Sequence, residues 1–224
     1  LKLKDTVSGE LFHRLDDIFN QPRAIAIFNL RSPLARAPVE HGVCLDLVVS
    51  CLGQIMIKDT YAADQALLEH TVSVGERGEI NIKINGLNDK LLLLLQTIMK
   101  HISELHLNDD LSNIFESVRD QTKKNYYNFF IKPSKLVRDA RLSVLQDVHW
   151  TAMEKHKAIQ NVSLEMVKTF AKEFLCTSNV YVQGLVQGNV TETEAIEMYN
   201  VVKAGLIDKG EATAFVTDIR CNEI

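Results

Sequence analysis

Cysteine is scarce in this 224-residue sequence, and the four present are irregularly placed at Cys44, Cys51, Cys176 and Cys221. That excludes a disulfide scaffold, which a chain of this length does not need because it buries a sizeable core. Cys44 and Cys51 fall on one face of a predicted helix, roughly 10 Å apart along its axis, beyond the Cα separation a disulfide bridges. Reduced, buried thiols of the cytosolic kind are expected. A basic excess is also missing: 25 Lys and Arg against 29 Asp and Glu give a net charge of −4. No positive field is available to hold a polyanion, so nucleic acid is not an expected partner. Long hydrophobic runs are absent too, since stretches such as 91–95 and 55–57 fall far short of the ~20 residues that cross a bilayer. No basic, apolar, small-residue leader opens the chain, so neither a membrane span nor a secretory signal is expected. Repeats of solenoid length and low-complexity linkers are lacking. Asn161-Val162-Ser163 and Asn189-Val190-Thr191 satisfy the glycosylation pattern, which is short enough to arise by chance.

The apolar share of 46% and charged share of 24% are those of an ordinary folded domain. Lys2 to Phe19 and Arg23 to Leu30 read as two strands joined by a turn at Asn20-Gln21-Pro22. In the second, Ala24, Ala26, Phe28 and Leu30 alternate with Ile25, Ile27 and Asn29, so both faces are largely apolar and the strand is expected to be central. Ser32-Pro33 and Pro38 break the extended run. From Val39 to about Ile57, Leu45, Val48, Val49, Leu52, Ile55 and Met56 recur at helical spacing, and Gly53 either weakens that helix or lets it pack closely on a sheet. A hairpin follows, Thr71 to Val74 and Glu79 to Ile84, turning at residues 75–78. Asn88 is expected to cap a helix whose stripe is Leu91, Leu94, Leu95, Ile98, Ile102 and Leu105. Asp109 or Asp110 opens another with Leu111, Ile114, Phe115 and Val118. Lys132-Pro133 separates it from one whose inward face is read as Leu136, Val137, Ala140, Val144, Leu145 and Val148. Ser163 caps a helix with Val167, Phe170, Ala171 and Phe174 facing inward. A strand from Val180 to Val186 then meets a capping box, Thr191 to Glu194, that starts the last helix. The pattern predicts an α+β fold, a mainly antiparallel β-sheet with a layer of helices on one face. Residues 1–206 read as one domain, and 207–224 as a linker or the opening strand of a following domain.

Chemistry-bearing motifs are missing as well. A zinc peptidase needs two histidines one helical turn apart beside a carboxylate base, and neither His-Glu-x-x-His nor His-x-x-Glu-His occurs. Ala37-Pro38-Val39-Glu40-His41 and Ala66-Leu67-Leu68-Glu69-His70 keep a Glu-His pair but place alanine at the first histidine position of the inverted motif. No catalytic, cofactor-binding or metal-ligating residue is therefore assigned. The seven histidines are expected mostly at the surface or at helix ends. Asp16-Asp17, Asp46, Asp59, Asp64 and Asp89 are read as caps and turns. Nucleophile elbow, Walker loop and dinucleotide fingerprint are all absent. Gly184 to Gly188 reads as a strand-to-helix junction, and the aromatics of Lys123 to Phe130 as a helix face that becomes core or domain interface at its C-terminal end rather than an RNA surface.

Two stretches carry a family resemblance: Lys58-Asp59-Thr60-Tyr61-Ala62-Ala63-Asp64-Gln65-Ala66-Leu67 and Gly86-Leu87-Asn88-Asp89-Lys90-Leu91. They join Lys4-Asp5-Thr6, Leu15-Asp16-Asp17, Phe19, Pro22-Arg23-Ala24, Ser32-Pro33 and Gln187-Gly188-Asn189-Val190-Thr191 in an order and spacing that are jointly informative. Over residues 4 to 206 the chain resembles the pitrilysin (inverzincin, M16) zinc metallopeptidases, in their insulysin and nardilysin branch, and specifically the third of four similar domains. Phe130-Ile131-Lys132-Pro133, Arg138 to Leu142 and Val182 to Thr191 bring it nearer the nardilysin side. Asp64 replaces the usual Glu and Leu87 the usual aromatic, both mild departures. The resemblance implies a pitrilysin-type fold and a noncatalytic domain that helps enclose peptide substrate. Zinc would lie in the parent's first domain, and the parent would cleave peptides near basic, often dibasic, sites; this stretch alone would be inactive. Implied partners are sister domains of the same protease, peptide substrates and other proteins. The expected location is cytoplasmic, with the parent also exported or at the cell surface. The competing reading is a stand-alone protein-interaction module or truncated isoform without peptidase activity.

Overall fold

The computed structural model describes residues 1–207 except 37, 76, 147 and 179. Among the described residues the strands are β1 (Lys2–Thr6), β2 (Gly9–Leu15), β3 (Arg23–Arg31), β4 (Glu69–Val74), β5 (Glu79–Leu87) and β6 (Tyr181–Gly188). The helices are α1 (Val39–Gln65), α2 (Asn88–Glu104), α3 (Asp110–Phe130), α4 (Pro133–Leu145), α5 (Ala152–Ala158), α6 (Leu164–Phe174) and α7 (Glu192–Ala204). One six-stranded sheet runs in the order β1-β2-β6-β3-β5-β4. Among the described strands only the β2–β6 pair is parallel, so the sheet is mainly antiparallel, as its alternating strands predict. β3 lies between β6 and β5, which explains why both of its faces are apolar or half-buried.

The helices cover one face. Phe28, Leu30, Ile80, Ile82 and Ile84 point into that layer and meet Leu47, Leu52, Leu91, Leu95 and Val202, all essentially inaccessible to solvent. Burying each such side chain contributes about 1.5–3 kcal/mol, which is why a single layer suffices. Gly184 belongs in β6 because a Cβ there would sit 2.9 Å from the Phe28 ring and 3.0 Å from Leu11. Gly188, at φ +119°, turns the chain from β6 towards α7 while its backbone lies against Arg23 and Ala24.

The first expected strand is in fact two. Residues 7 and 8 form a tight reversal between β1 and β2, closed by Thr6 Oγ1 donating to the Gly9 carbonyl at 2.8 Å. Asp16 ends the extended run by accepting the Ile18 and Phe19 amides, and the Phe19 bond above all lowers its carboxyl pKa. β2 and β3 are not neighbours, since β6 inserts between them. Helix α1 runs on to Gln65, past the apolar periodicity that stops near Ile57, and reverses into β4 through Leu67 at φ +58°. It is long and apolar enough to cross a membrane by length and composition, but half of that window is buried in this fold. Gly53 lies on its open side, where an added Cβ meets nothing within 4 Å, so it does not serve close packing.

Three further expectations change. Asn88 is the first residue of α2 rather than its cap; Leu87 occupies the cap, and Asn88 Nδ2 donates to the Asn189 carbonyl at 2.8 Å. At the start of α3 Asp109 occupies the cap position as expected but makes no side-chain capping bond; Asn108 Oδ1 instead accepts the Asp110 amide at 2.8 Å. In α4 the expected inward stripe faces solvent: Val137, Val144 and Leu145 are more than two-thirds exposed, and Leu136 is exposed too. That helix is anchored instead through Asp139, its buried residue, and packs chiefly on α3. Ser163 and Thr191 cap α6 and α7 as expected, the latter in a full capping box with Glu194. Ile207 stays tied to the body, its amide donating to the Leu175 carbonyl at 2.9 Å and its carbonyl accepting from the Thr177 amide at 2.8 Å. Residues 208–224, where a further strand is expected, lie outside the described residues, as does Cys221.

Candidate functional site

The sheet face away from the helices is open. Along β5 the half-buried or exposed Asn81, Lys83 and Asn85 alternate with Ile80, Ile82 and Ile84, and on β6 Gln183 and Leu185 do the same. The register sets Ile27 opposite Leu185, and Leu185 opposite Phe12, so an apolar strip crosses β3, β6 and β2. Leu185 and Phe12 are 39% and 36% exposed.

One step along, the same register makes a polar ladder. Asn81 Nδ2 donates to Asn29 Oδ1 at 2.6 Å, Asn29 Nδ2 to Gln183 Oε1 at 3.4 Å, and Gln183 Nε2 to Glu10 Oε1 at 2.8 Å. Glu10 Oε2 meets Lys2 Nζ at 2.9 Å, and that carboxylate is the first cause of the raised Lys2 pKa. Amide donors thus run in one direction from Asn81 on β5 to the Glu10 carboxylate on β2, which accepts from Lys2 on β1 on its other side. Each cross-strand pair of this kind contributes about 0.2–1 kcal/mol. The face offers hydrogen bonds and apolar surface to an extended chain.

A cleft of about 360 Å³ opens at the N-terminal end of α1, lined in part by Arg36, Asp46, Asp139, His149, Trp150 and Lys155. Asp46 Oδ2 accepts from Tyr126 Oη at 2.5 Å and from Lys155 Nζ at 2.8 Å. Burial, and then the Asp46 charge, push the Tyr126 phenol well above its ordinary pKa, so it remains a donor. Asp139 Oδ1 meets His149 Nε2 at 2.6 Å, and Asp139 Oδ2 accepts the Ala152 amide at 2.7 Å. His149 Nδ1 lies 3.1 Å from Gln146 Oε1, so both ring nitrogens are engaged. Trp150 Nε1 donates to the Arg36 carbonyl at 3.0 Å. Each carboxylate and the imidazole here is braced by protein partners, which is structural clamping rather than a poised acid–base pair.

The near-motifs do not assemble a metal centre. Ala66 to His70 runs from the end of α1 into β4, so its Glu and His do not share a helical face, and Glu69 Oε2 accepts from Asn85 Nδ2 at 2.7 Å. In the other, His41 Nδ1 is occupied by the Leu34 carbonyl at 2.9 Å, and Ala37 lies outside the described residues. No group of three or more His, Cys, Asp or Glu among the described residues is placed to hold a metal ion. Burial pushes the Cys44 and Cys51 thiols up to about 12, which removes them as nucleophiles near neutral pH.

Several side chains sit elsewhere than the sequence suggests. His41, His101, His106 and His156 lie at helix ends as expected and are half-buried, whereas His13 is buried within β2, with Nε2 2.7 Å from the Val190 carbonyl. Asp46 is neither cap nor turn but the hub of the Tyr126–Lys155 contact. In the 123–130 stretch only Tyr126 reaches inward to such a hub; Tyr127 is exposed and packs with Phe130 and His156 in a surface aromatic group. Thr151 and Glu154 form a capping box that starts α5, a helix the sequence reading passes over although it shows the same signal as Thr191 and Glu194.

Comparison with known proteins places this mainly antiparallel sheet and its one helical layer in a family. Residues 1–158 match the sequence profile of the middle or third domain of peptidase M16, and the chain belongs to that family. Human nardilysin is 36% identical over 203 residues, a span covering 90% of this chain and 17% of the relative. Human insulin-degrading enzyme is 26% identical over 207 residues, 92% of this chain and 20% of the relative. The chain therefore spans about a fifth or less of the curated relatives it matches. Among solved structures, pitrilysin superposes with a TM-score of 0.79 at 17% identity, over 93% of this chain and 22% of that one. A peptidase M16 inactive domain from Pseudomonas fluorescens gives 0.65 at 16% identity, over 96% of this chain and 52% of that one.

Proposed function

We propose that this chain is a noncatalytic wall of the substrate chamber in a nardilysin-like zinc metalloendopeptidase. The observation that carries the reading is the coincidence of the M16 middle-domain match with near-motifs whose residues are committed to other partners. The open sheet face, with its amide ladder and apolar strip, is the surface turned to peptide substrate. The exposed apolar side of α4, with Val137 and Val144, is the surface that docks on sister domains. In the parent, zinc is held by the first domain, cleavage falls near basic or paired basic residues, and this domain selects by size and shape. The parent works in the cytoplasm and, when exported, at the cell surface.

A domain exchange tests it. The matching segment of human nardilysin is replaced by residues 1–206 of this chain, and cleavage of an internally quenched peptide with a paired-basic site is followed. The chimera is expected to bind zinc as its parent does and to retain cleavage that a chelator abolishes. A folded, zinc-loaded chimera that cleaves nothing would reject the chamber-wall role.

A further inference from the structure

The balance of charge reverses at α4. The chain as a whole carries 25 Lys and Arg against 29 Asp and Glu, yet residues 132–146 hold Lys132, Lys135, Arg138 and Arg141 against Asp139 alone. All four cations are exposed. Asp139 is turned inward, where it is spent on His149 and the Ala152 amide, so the outer side of the helix is left basic.

Arg138 also lines the cleft of about 360 Å³ beside α4, together with Arg36 and Arg77. The two carboxylates described in that lining are engaged, Asp46 by Lys155 and Tyr126, and Asp139 by His149. The half-buried Arg36 guanidinium has no hydrogen-bond or ion-pair partner among the described residues. Guanidinium groups drawn to one hollow are suited to carboxylates, which they bind in a bidentate fork.

An apolar ridge runs beside these cations. Val137, Ala140, Arg141 and Val144 follow the spacing of one helix face, along about 10 Å of axis. Each is exposed, Val137 and Val144 by 68% and 83%. Around the helix, the exposed Leu145 falls between Arg138 and Arg141.

We propose that α4 and the cleft beside it dock an acidic amphipathic helix. Its apolar stripe rests on Val137, Ala140 and Val144, and its flanking carboxylates meet Arg141, Arg138 and Arg36. The inference rests on the docking role given to α4 above and adds the chemistry of the partner. A second copy of this chain does not fit, because α4 against α4 would set like charges face to face. An anionic bilayer fits less well, since Arg36 is recessed in a cleft that a side chain enters and a flat headgroup plane does not.

The probe is a fluorescein-labelled helical peptide of about 18 residues, with leucine along one stripe and glutamate on its flanks. It is titrated with the 224-residue chain and followed by anisotropy, beside versions with glutamine or lysine in place of glutamate. The glutamate peptide is expected to bind saturably and roughly tenfold or more tightly than the glutamine peptide, a preference lost in about 1 M salt. Arg141→Glu and Val137→Ser/Val144→Ser, altered only at exposed positions, should melt like the parent and bind the glutamate peptide roughly tenfold more weakly. Lys90→Glu, an equal charge change on α2, should bind like the parent. Equal affinity for the glutamate and glutamine peptides would overturn the acidic assignment and leave the docking role standing. Failure of all three peptides to bind would overturn both. An unaffected Arg141→Glu variant, equal weakening by Lys90→Glu, or capture on phosphatidylserine vesicles that the glutamate peptide does not compete away would also overturn the proposal.

Discussion

Replacing Asp139 by alanine tests how α4 is held. Asp139 is 5% exposed and is the buried residue of that helix. The substitution removes the acceptor of the buried Ala152 amide at 2.7 Å and the partner of His149 Nε2 at 2.6 Å. An orphaned buried donor costs about 1–3 kcal/mol, and a hydrogen bond to a charged group contributes about 1.5–3 kcal/mol. Water reaches the half-buried His149 and recovers part of the loss, so the net cost is about 3 kcal/mol. For a domain of this size, that lowers the melting temperature by roughly 6–12 °C. Asp139→Asn keeps an acceptor for one of the two donors and is expected to cost about half as much. Thermal and urea unfolding give the magnitudes, and a double-mutant cycle with His149→Ala isolates the pair, with a coupling of about 0.5–3 kcal/mol expected. Because α4 packs chiefly on α3, limited proteolysis should also cut the variant first within residues 131–146. A melting temperature within about 1 °C of the parent, or a coupling indistinguishable from zero, would refute the clamp.

Three further outcomes are expected. Gly53→Ala fills open space on a helix and should stabilise by about 0.5–1 kcal/mol, whereas a lower urea midpoint would show hidden packing at that site. Asn88→Ala should cost about 1 kcal/mol by cutting its bond to the Asn189 carbonyl; Asn88→Asp, which keeps the preferred cap chemistry but cannot donate, should cost as much, and an innocuous Asn88→Asp would restore the cap assignment. The Glu194 pKa is lowered by its hydrogen bonds from the Thr191 amide and hydroxyl. Its contribution to stability is therefore present above the unfolded carboxyl pKa and lost as pH falls through the lower folded value. Thr191→Ala should cost about 1 kcal/mol at neutral pH and progressively less in that acidic window, and a pH-independent cost would contradict the capping box.

Much of the fold is legible in the chain because local pattern and burial agree. Ile80, Ile82 and Ile84 declare one buried face, and Val167, Phe170, Ala171 and Phe174 declare another. Where local signals and tertiary packing part, the reading fails for physical reasons. Leu136, Val137, Val144 and Leu145 recur at helical spacing, but periodicity reports an amphipathic helix and not what covers it. Residues 7 and 8 lack the turn dipeptides that would split Lys2 to Phe19 into two strands. Insertion of β6 between β2 and β3 is a long-range pairing that no local window contains. The candidate surface shows the same division. Asn81 and Lys83 are legible as a wet face, whereas the ladder from Asn29 through Gln183 to Glu10 joins residues 154 and 173 positions apart. Asp46 gives no sequence signal of its own, since Tyr126 and Lys155 reach it from α3 and α5.

The central claim, that these residues enclose peptide without activating water, is tested most directly by assaying the purified 224-residue chain alone. It is incubated with one equivalent of zinc and an internally quenched paired-basic peptide, with metal content measured after gel filtration. The account predicts no retained stoichiometric zinc and no cleavage above the peptide's own rate. Retained zinc together with chelator-sensitive cleavage would contradict it.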